Sequence, residues 1–448
     1  MDKILGWFKK FIPLFVFNPA QPLYHWFLAN FAAFWHGRPS RDMVVIGVTG
    51  TNGKTSVVEF IFHILTAAGL KAASISSVYF RIGEEAKKNN LKMTMPGRFF
   101  MQKFLRRARN KGATYAVLEI TSEGIKQFRH KNIDWDILVL TNIAPEHIEA
   151  HGSFENYRRA KEKVFAGFFK TFRKPDVAKT IIVNADDPST DQFLKYPADK
   201  KISYRPSLIF KKETASGIEF EYRGRAFKTK LIGDFNLANL LAAVVACESL
   251  GISDAVSKAA VESIAGVPGR MEFIQRRPFA AVVDYAHTPD ALFKVYETLK
   301  SYLVPEQALY GAGKLQANKL ICVLGSAGGG RDKWKRPEMG KIAARYCDEI
   351  ILTNEDPYDE DPDAIICEIE SGIGNDESKN LRKISDRKEA IRQAISAAGA
   401  GDIVIITGKG SEPWMMGPNG QKIAWDDRQI AREAISKAVE MGYNKPIV

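Results

Sequence analysis

Apolar residues along the chain come in short runs that are separated by polar turns and by stretches with helical spacing. Runs that begin near Val44, Asp136 and Val177, together with the run over residues 116–124, predict buried strands, because they are short and rich in branched residues. Helical spacing follows in TSVVEFIFHILTAAG and in FENYRRAKEKVF. Strands that alternate with helices in this way predict an α/β fold built on a parallel sheet.

The same alternation returns in the second half of the chain, in AAVVDYAHTPDAL, KLICVLG, EIILTNEDP and DIVIITGKG. Between the halves, the turn-forming sequence GVPGR at residues 266–270 predicts a domain boundary. We therefore expect a central domain over residues 43–267 and a C-terminal Rossmann-like α/β domain over residues 268–448. A chain of 448 residues exceeds what one hydrophobic core usually serves, which agrees with two domains.

Residues 1–42 are predicted to form a short helical segment that is rich in aromatic residues, in ILGWFKKFIPLFVF and LYHWFLANFAAFW. Each stretch is too short and too interrupted to cross a bilayer, and no small-residue cleavage site marks a signal peptide. Two interpretations stay open. The segment is either a helical cap buried on the central domain or an interfacial anchor whose Lys3, Lys9 and Lys10 meet anionic lipid.

The composition is that of an ordinary globular protein, with 45% hydrophobic and 26% charged residues, which excludes disordered and fibrous classes. The net charge is +12, and ten Lys or Arg between Arg81 and Lys111 face only Glu84 and Glu85. This basic segment is either a solvated face or an attraction for a polyanion such as a nucleotide, and no aromatic-interleaved motif indicates nucleic acid. Four separated cysteines predict neither a zinc site nor a disulfide framework, and a reducing cytoplasm fits them.

The most informative stretch joins the first strand to the first long helix through TGTNGKTS. Gly50 and Gly53 allow the backbone to curl, so that successive N–H groups and the helix N-terminus face an anion. Lys54 adds a cation for the β- and γ-phosphates, and the Thr55 hydroxyl can ligate Mg²⁺. The first glycine of the usual phosphate-loop pattern is displaced by one residue, to Gly47. The stretch predicts binding of a nucleoside triphosphate.

Further polar positions follow or interrupt predicted strands, where α/β folds place their chemistry. Glu119 lies inside an apolar run, and a lone buried acid is costly unless it is paired or binds a metal. His147 follows the next strand and is either a metal ligand or a hydrogen-bonded loop residue. Asn236 and Asn239, in the first turns of GDFNLANLLAA, either cap that helix or read an adenine edge.

Over about residues 43–448, the order of motifs resembles the Mur ligase family, most of all its tripeptide synthetases (MurE type). The motifs are TGTNGKT, LEITSEG, EHIEAHG, NYRRAK, GDFNLANLLAA, PGRMEF, DYAHTPDAL, GGGRDKWKRPEMG, NEDPYDEDP and GKGSE. The resemblance implies an ATP-dependent amide-bond ligase of peptidoglycan biosynthesis, which adds a free amino acid to a muramyl-peptide precursor through an acyl phosphate. We expect a cytoplasmic monomer, with a phosphate-loop ATPase as the central domain.

The resemblance also implies roles for individual residues. The implied catalytic set is Lys54, Glu119, His147 and Lys161, in which a carbamylated Lys161 becomes an anionic ligand. Two Mg²⁺ ions are implied, one at Thr55 and a second held by Glu119, His147 and Lys161. The implied ATP contacts are Gly50, Thr51, Asn52, Gly53, Lys54, Thr55, Ser56, Asn236, Arg270 and Asp284. The implied substrate contacts are Thr94, Thr121, Gln127, Arg129, Arg336, Glu355, Asp356, Tyr358, Gly408 and Glu412.

The chain departs from the family pattern in several places. Residues 1–42 stand where the family has a domain of roughly a hundred residues that grips uridine diphosphate. We therefore expect a shortened contact or a membrane-linked acceptor in place of a rebuilt nucleotide pocket. Glu123, Met95, Glu146 and Ser411 replace a histidine, a threonine, an aspartate and a histidine. None of these changes removes an implied metal or phosphate ligand.

The motif that selects the incoming amino acid also differs. Family members that take diaminopimelate carry D-N-P-R, whose arginine forks onto the distal carboxylate. The aligned residues here are Glu355, Asp356, Pro357 and Tyr358. A neutral tyrosine beside two carboxylates favours a distal ammonium, so we predict lysine, with diaminopimelate as the alternative. Two other functions stay open: a folylpolyglutamate-type ligase, which shares the ATP site, and a non-catalytic ATP-binding subunit of a membrane complex.

Overall fold

The computed structural model describes residues 14–214, 217–303, 318–374 and 380–440. The helices in these ranges are α1 (Leu14–Trp35), α2 (Lys54–Ala67), α3 (Arg98–Asn110), α4 (Ser122–Lys126), α5 (Ile148–His151), α6 (Phe154–Phe168), α7 (Thr190–Leu194), α8 (Asp234–Glu248), α9 (Asp254–Ser263), α10 (Pro289–Ser301), α11 (Lys335–Tyr346), α12 (Pro362–Ile373), α13 (Arg387–Ala397) and α14 (Asp427–Glu440). Short 3₁₀ helices lie at Pro39–Asp42, Pro206–Leu208 and Pro418–Gly420.

The strands of the central half are β1 (Val44–Thr49), β2 (Ala72–Ile75), β3 (Tyr79–Ile82), β4 (Glu85–Lys88), β5 (Tyr115–Glu119), β6 (Ile137–Leu140), β7 (Thr180–Asn184), β8 (Lys200–Tyr204), β9 (Lys211–Thr214), β10 (Gly217–Tyr222) and β11 (Arg225–Thr229). Those of the C-terminal half are β12 (Glu272–Gln275), β13 (Ala280–Asp284), β14 (Leu320–Leu324), β15 (Glu349–Leu352), β16 (Asn380–Lys383), β17 (Ile403–Thr407), β18 (Trp414–Met416) and β19 (Lys422–Ala424).

The first sheet has eight strands in the order β4-β3-β2-β5-β1-β6-β7-β8. From β2 to β8 neighbouring strands in this order pair in parallel, whereas β3 and β4 are added at one edge by antiparallel pairing. The sheet is therefore mixed, which differs from the parallel sheet predicted from the sequence. Both added strands, YFRI and EAKK, are short, and the outermost one, EAKK, is charged and mostly exposed, as suits a sheet edge.

Both faces of this sheet are covered, which explains why its strands are continuous apolar runs. Ile46 and Val48 pack with α2 and α8 in one hydrophobic cluster, and Val45 packs with α3 and α6 in another. A three-stranded antiparallel sheet, β11-β10-β9, adds to the first cluster through Ile218 and Phe220. The packing leaves the carboxyl ends of the parallel strands free for chemistry.

The third sheet has six strands in the order β12-β13-β17-β14-β15-β16, and only the pairing of β12 with β13 is antiparallel. The chain passes to this sheet between Ser263, the last residue of α9, and Glu272, the first of β12. The α/β fold class is confirmed. We keep residues 267 and 268 as the proposed domain boundary.

Two local predictions from the sequence were wrong. The strand predicted over 116–124 ends at Glu119, because the Thr121 side chain accepts a hydrogen bond from Gly124 N (3.1 Å) and starts α4.

Cys322 and Cys347 form a disulfide with an S–S distance of 2.05 Å. Their strands β14 and β15 are neighbours, a proximity that a separation of 25 residues conceals. The cysteines thus give no support to a reducing compartment.

The helical prediction for the N-terminal segment is confirmed over Leu14–Trp35, which packs on α3. The predicted lipid-facing Lys3, Lys9 and Lys10 lie outside the described residues. Among the residues that are described, no helix combines the length and the apolar character that crossing a membrane requires.

Candidate functional site

A cavity of about 990 Å³ lies between the first and third sheets. Its walls come from the loops after β1, β5 and β6 on one side and from the loop after β13 on the other. Most residues predicted from the sequence line it: Thr51, Asn52, Gly53, Lys54, Thr55, Ser56, Thr94, Glu119, Thr121, Arg129, His147, Lys161, Asn236, Arg270, Asp284, Tyr358 and Glu412. The other predicted residues are not among its lining: Gly50, Gln127, Arg336, Glu355, Asp356 and Gly408.

The phosphate loop has the backbone that its glycines predict. Gly50 has a φ of 147° and Gly53 a φ of 83°, in the region that favours glycine. A Cβ atom on Gly53 would also lie 2.1 Å from Asn239 Oδ1, so no side chain fits there. The following helix α2 begins at Lys54, and its first N–H groups form an anion site together with the loop.

Lys54 and Thr55 lie where an anion in this loop would contact them. Lys54 Nζ donates a hydrogen bond to Thr51 O at 2.6 Å, which holds the ammonium group over the loop. Thr55 Oγ1 donates to Glu119 Oε2 at 3.0 Å. The hydroxyl therefore connects the phosphate loop to the buried acid of β5.

Glu119 is 2% exposed and is satisfied by neutral donors. Its Oε2 accepts from Thr55 Oγ1, from Ser77 N at 3.1 Å and from Ser77 Oγ at 3.4 Å. Ser77 Oγ in turn lies 2.8 Å from Thr94 Oγ1, a predicted substrate contact. These donors carry no formal charge, so none of them is a cationic partner for the carboxylate at the cavity wall.

Lys161 enters the same wall from α6 and is buried, with only 1% of its surface exposed. Its Nζ donates to Gly50 O at 2.7 Å and lies 4.7 Å from the centre of the Tyr157 ring. Burial and the Lys54 ammonium hold the pKa of Lys161 well below its usual value, although Glu146 and Glu119 act in the opposite direction. The amine is therefore disposed to be neutral and nucleophilic.

Two histidines flank a buried carboxylate beside Lys161. Glu146 Oε1 lies 3.6 Å from His147 Nε2 and 3.4 Å from His287 Nε2. Burial alone would raise the pKa of Glu146, but His147, His287 and Lys54 hold it well below the usual value. Burial lowers the pKa of His147 to about 4, so its imidazole is neutral at pH 7 and keeps a lone pair.

The predicted nucleotide contacts face the cavity from both domains. Asn236 Nδ2 donates to Ile232 O at 2.9 Å. The Asp284 carboxylate accepts from two backbone N–H groups at 2.6 Å each. The Arg270 guanidinium lies 4.1 Å from the centre of the Tyr285 ring. Amide, carboxylate and guanidinium groups are thus presented on one surface.

A cluster of charges closes the other end of the cavity. Lys409 Nζ donates to Asp356 Oδ1 at 2.9 Å and to Glu412 Oε2 at 2.6 Å. Lys92 also binds Asp356 and lies 3.3 Å from Glu412 Oε2, and Tyr285 Oη donates to Glu412 Oε1 at 3.0 Å. Burial opposes ionisation, but Lys409 and Lys92 lower the pKa of Glu412 to about 2. Two carboxylates are therefore balanced by two ammonium groups.

Arg336 lies away from the cavity. It is fully buried, and its guanidinium donates to Glu368 Oε2 at 2.7 Å and to Glu360 Oε2 at 3.1 Å. Arg331, five residues earlier in the same motif, lines the cavity and faces the side chains of Tyr285 and Tyr358. Geometry therefore favours Arg331 as the cation that meets a ligand here.

Sequence reasoning missed several residues of this site: Lys92, Glu146 as a charged partner, Tyr285, His287, Arg331 and Lys409. Most of these residues lie inside the motifs that carry the family resemblance, so the motifs point to the residues but do not indicate their roles. No sequence signal points to Lys92, because its partners are more than 260 residues away in the chain. Among the described residues, no group of three or more His, Cys, Asp or Glu is placed to hold a metal ion by itself.

Comparison with known proteins agrees with the arrangement of the two halves. Residues 48–247 match the model of the Mur ligase middle domain, and residues 269–410 match that of the Mur ligase, glutamate ligase domain. A UDP-N-acetylmuramoyl-L-alanyl-D-glutamate--2,6-diaminopimelate ligase from Syntrophomonas wolfei is 35% identical over 424 residues, which cover 92% of this chain and 82% of that protein. A protein of the same name from Aquifex aeolicus is 35% identical over 416 residues, which cover 91% of this chain and 80% of that protein.

Solved structures give the same picture. A UDP-N-acetylmuramoyl-L-alanyl-D-glutamate--2,6-diaminopimelate ligase superposes with a TM-score of 0.58 and 32% identity, over 89% of this chain and 79% of that one. A folylpolyglutamate synthase from Mycobacterium tuberculosis, complexed with ADP and AMPPCP, has a TM-score of 0.66 but only 16% identity, over 93% and 95% of the two chains. The second likeness shows the fold alone.

Lys92 joins the two halves, which leads to a prediction about their closure. Lys92→Met leaves Lys409 alone with two buried carboxylates, and truncating one partner of a buried charge cluster costs about 2–5 kcal/mol. We expect a larger radius of gyration in small-angle X-ray scattering and a lower urea midpoint. Lys88→Met is the control, because the Lys88 Nζ to Asp426 Oδ2 pair at 3.2 Å is more exposed and worth about 1 kcal/mol or less. Equal effects of the two changes would contradict the role given to Lys92.

Proposed function

The chain belongs to the Mur ligase family, and we propose that it is the member that adds the third residue of a muramyl-peptide stem. It is accordingly an ATP-dependent, ADP-forming amide ligase of peptidoglycan synthesis. The observation that carries the finer proposal is the meeting of the phosphate loop, Glu119 and Lys161 at one cavity that also receives residues of the C-terminal half. A non-catalytic subunit would have no use for such a complete set, and the folylpolyglutamate likeness reaches no further than the fold.

The proposed reaction has two steps. A carboxylate oxygen of the acceptor attacks the γ-phosphorus of ATP, the bond from that phosphorus to the β-γ bridging oxygen breaks, and ADP leaves. The amine of the amino acid then attacks the acyl carbon, the carbon–oxygen bond to phosphate breaks, and the nitrogen loses a proton. Lys54 and the N–H groups of the loop stabilise the charge on the transferred group. Thr94, Thr121 and Arg129 are the groups proposed to orient the acceptor.

The donor set fits a magnesium ion that arrives with ATP. Thr55 and Glu119 offer hard oxygen donors beside the loop, and their hydrogen bond of 3.0 Å places the two oxygens together. The protein supplies few ligands, which suits an ion that keeps waters and phosphate oxygens. We propose that Thr55 holds one Mg²⁺ and that Glu119, His147 and a carbamylated Lys161 hold a second. When bound, the ions would neutralise phosphate charge.

The proposed carbamylation explains why a lysine is buried at this position. A neutral amine adds to carbon dioxide and loses one proton, so that a cationic side chain becomes an anionic oxygen donor. The lowered pKa of Lys161, caused by burial and Lys54, favours the neutral amine that this addition needs. The modification also removes a like charge from the vicinity of Lys54.

Fewer side chains are placed to select the incoming amino acid than the sequence predicts. The charge of Asp356 is satisfied by Lys92 and Lys409, and Glu355 does not line the cavity, so these acids do not attract a distal ammonium. We propose that Arg331 takes over the role given to Arg336 and meets the α-carboxylate. With Tyr358 where diaminopimelate ligases carry arginine, lysine stays the proposed substrate. The names of the relatives favour diaminopimelate as the second candidate.

Loss of the Lys161 amine tests the catalytic assignment. Lys161→Ala should bind ATP in a calorimeter but lose ligation by about a hundredfold or more, because it removes the oxygen donor proposed to hold an ion that neutralises phosphate charge. Acetate or formate should restore part of the rate by supplying the missing oxygen donor. Lys163→Ala, an exposed change on the same helix, is the control and should leave the rate unchanged. Full ligation by the unrescued Lys161→Ala protein would refute the assignment.

Competition between lysine and diaminopimelate tests the role of Tyr358. With both amino acids in one ligation mixture, we expect lysine to be incorporated preferentially, by about 1–3 kcal/mol, the worth of a hydrogen bond to a charged group. Tyr358→Arg should move the ratio toward diaminopimelate, since a guanidinium pairs with the distal carboxylate. Gln421→Arg, which adds the same charge on the exposed surface, should not. Faster use of diaminopimelate by the unchanged protein, or no response to Tyr358→Arg, would show the argument to be wrong.

A further inference from the structure

Helix α1 packs with its small side chains inward and its large ones outward. Ala29, Ala32 and Ala33 are at most 1% exposed and face the central domain. Large apolar side chains lie on the opposite side of the helix: Leu23, Trp26, Phe27, Phe31, Phe34 and Trp35, of which Phe34 is 75% exposed. A helix that only caps a domain would bury its aromatic residues, because they gain most from leaving water.

These outward side chains form one surface, which we call the aromatic face. The rings of Phe27 and Phe31 are 6.2 Å apart and parallel, and those of Phe31 and Trp35 are 5.9 Å apart. Phe31 also meets Phe99 of α3 edge-on at 6.0 Å, so the face continues onto the neighbouring helix. Contiguous exposed apolar surface of this kind marks an interaction site.

Cations flank the aromatic face. Helix α3 has the sequence RFFMQKFLRRARN, with five basic residues and no acidic one, and α1 carries neither Asp, Glu, Lys nor Arg. Lys103 and Arg106 are exposed, and within the described residues neither forms a salt bridge. Both lie near His36 at the end of α1, whose pKa is lowered by burial and then by these two charges. The face therefore combines aromatic rings with unpaired positive charge.

We propose that the aromatic face lies on an anionic lipid bilayer, with its rings at the level of the headgroups and Lys103 and Arg106 on lipid phosphates. Trp and Phe on one side of a helix, with basic side chains at its flank, are what interfacial binding requires. A second copy of this chain is a poorer occupant. A two-fold contact through this face would bring the exposed Lys103 and Arg106 of one copy close to those of the other, where like charges repel.

The position of this surface relates it to the cavity without depending on the proposed reaction. Arg98, the first residue of α3, lies 2.7 Å from His25 of α1 through its Nη2 and also donates to Gln127 O. Met95, three residues before α3, lines the cavity and its carbonyl accepts from Arg129. These contacts connect the helix that carries the aromatic face to residues that line the cavity.

Co-sedimentation of the full chain with vesicles tests the proposal. Vesicles of equal parts phosphatidylcholine and phosphatidylglycerol should pellet the protein, and vesicles of phosphatidylcholine alone should pellet about tenfold less. The double change Phe27→Ser and Phe34→Ser should reduce pelleting about tenfold, as should Lys103→Glu with Arg106→Glu. Phe210→Ser and Lys422→Glu are the controls, since they alter an exposed phenylalanine and an exposed lysine elsewhere.

The thermal midpoint and ATP binding of each variant show whether it is folded, and the altered phenylalanines are exposed, so we expect both to be retained. Equal pelleting of the Phe27/Phe34 variant and the Phe210 control would overturn the proposal. So would negligible pelleting of the unchanged protein with anionic vesicles. A dimer in sedimentation velocity that the Phe27/Phe34 change abolishes, without vesicle binding, would assign the face to a second copy and equally overturn it.

Discussion

The hydrogen bond from Lys161 Nζ to the carbonyl of Gly50, at 2.7 Å, is the contact on which the site depends. It joins α6 to the first residue of the phosphate loop, and it holds a buried amine within the field of Lys54, Glu119 and Glu146. An ammonium group so placed would compete with Lys54 for the same anion. In the proposed carbamylated form, the same side chain would instead supply an anionic oxygen donor at this place. Burial therefore sets the chemistry of this residue, and the loop fixes its position.

Closure of the two halves depends on a second balance of charge. Lys92 of the central half and Lys409 of the C-terminal half share Asp356 and Glu412, so that neither buried carboxylate is left unpaired when the halves meet. Other contacts across the cavity are also polar, such as Asn52 Nδ2 to Asp290 Oδ2 at 2.8 Å. Opening the halves would separate Lys92 from both buried carboxylates, so this cluster favours the closed arrangement.

Patterns local in the chain predicted most of the fold and the phosphate end of the site. The apolar run before Gly50 and the helical spacing after Lys54 specify β1, the loop and α2 without reference to the rest. Prediction failed where distant residues decide the outcome. The disulfide of Cys322 depends on strand order, and the cavity lining by Arg331 rather than Arg336 depends on how the loop after β14 meets α11. The outward direction of the aromatic face of α1 could not be predicted from the sequence either, because composition alone does not say which side of a helix is covered.

The transfer of oxygen from the acceptor to phosphate tests the central claim most directly. The acceptor is prepared with ¹⁸O in the carboxylate that is to be joined and is incubated with the protein, ATP and lysine or diaminopimelate. If a carboxylate attacks the γ-phosphorus and phosphate later leaves the acyl carbon, one ¹⁸O per ligation must appear in the released phosphate, as read by mass spectrometry. Unlabelled phosphate would mean that water receives the phosphoryl group, and the account of this cavity as an amide ligase would be contradicted.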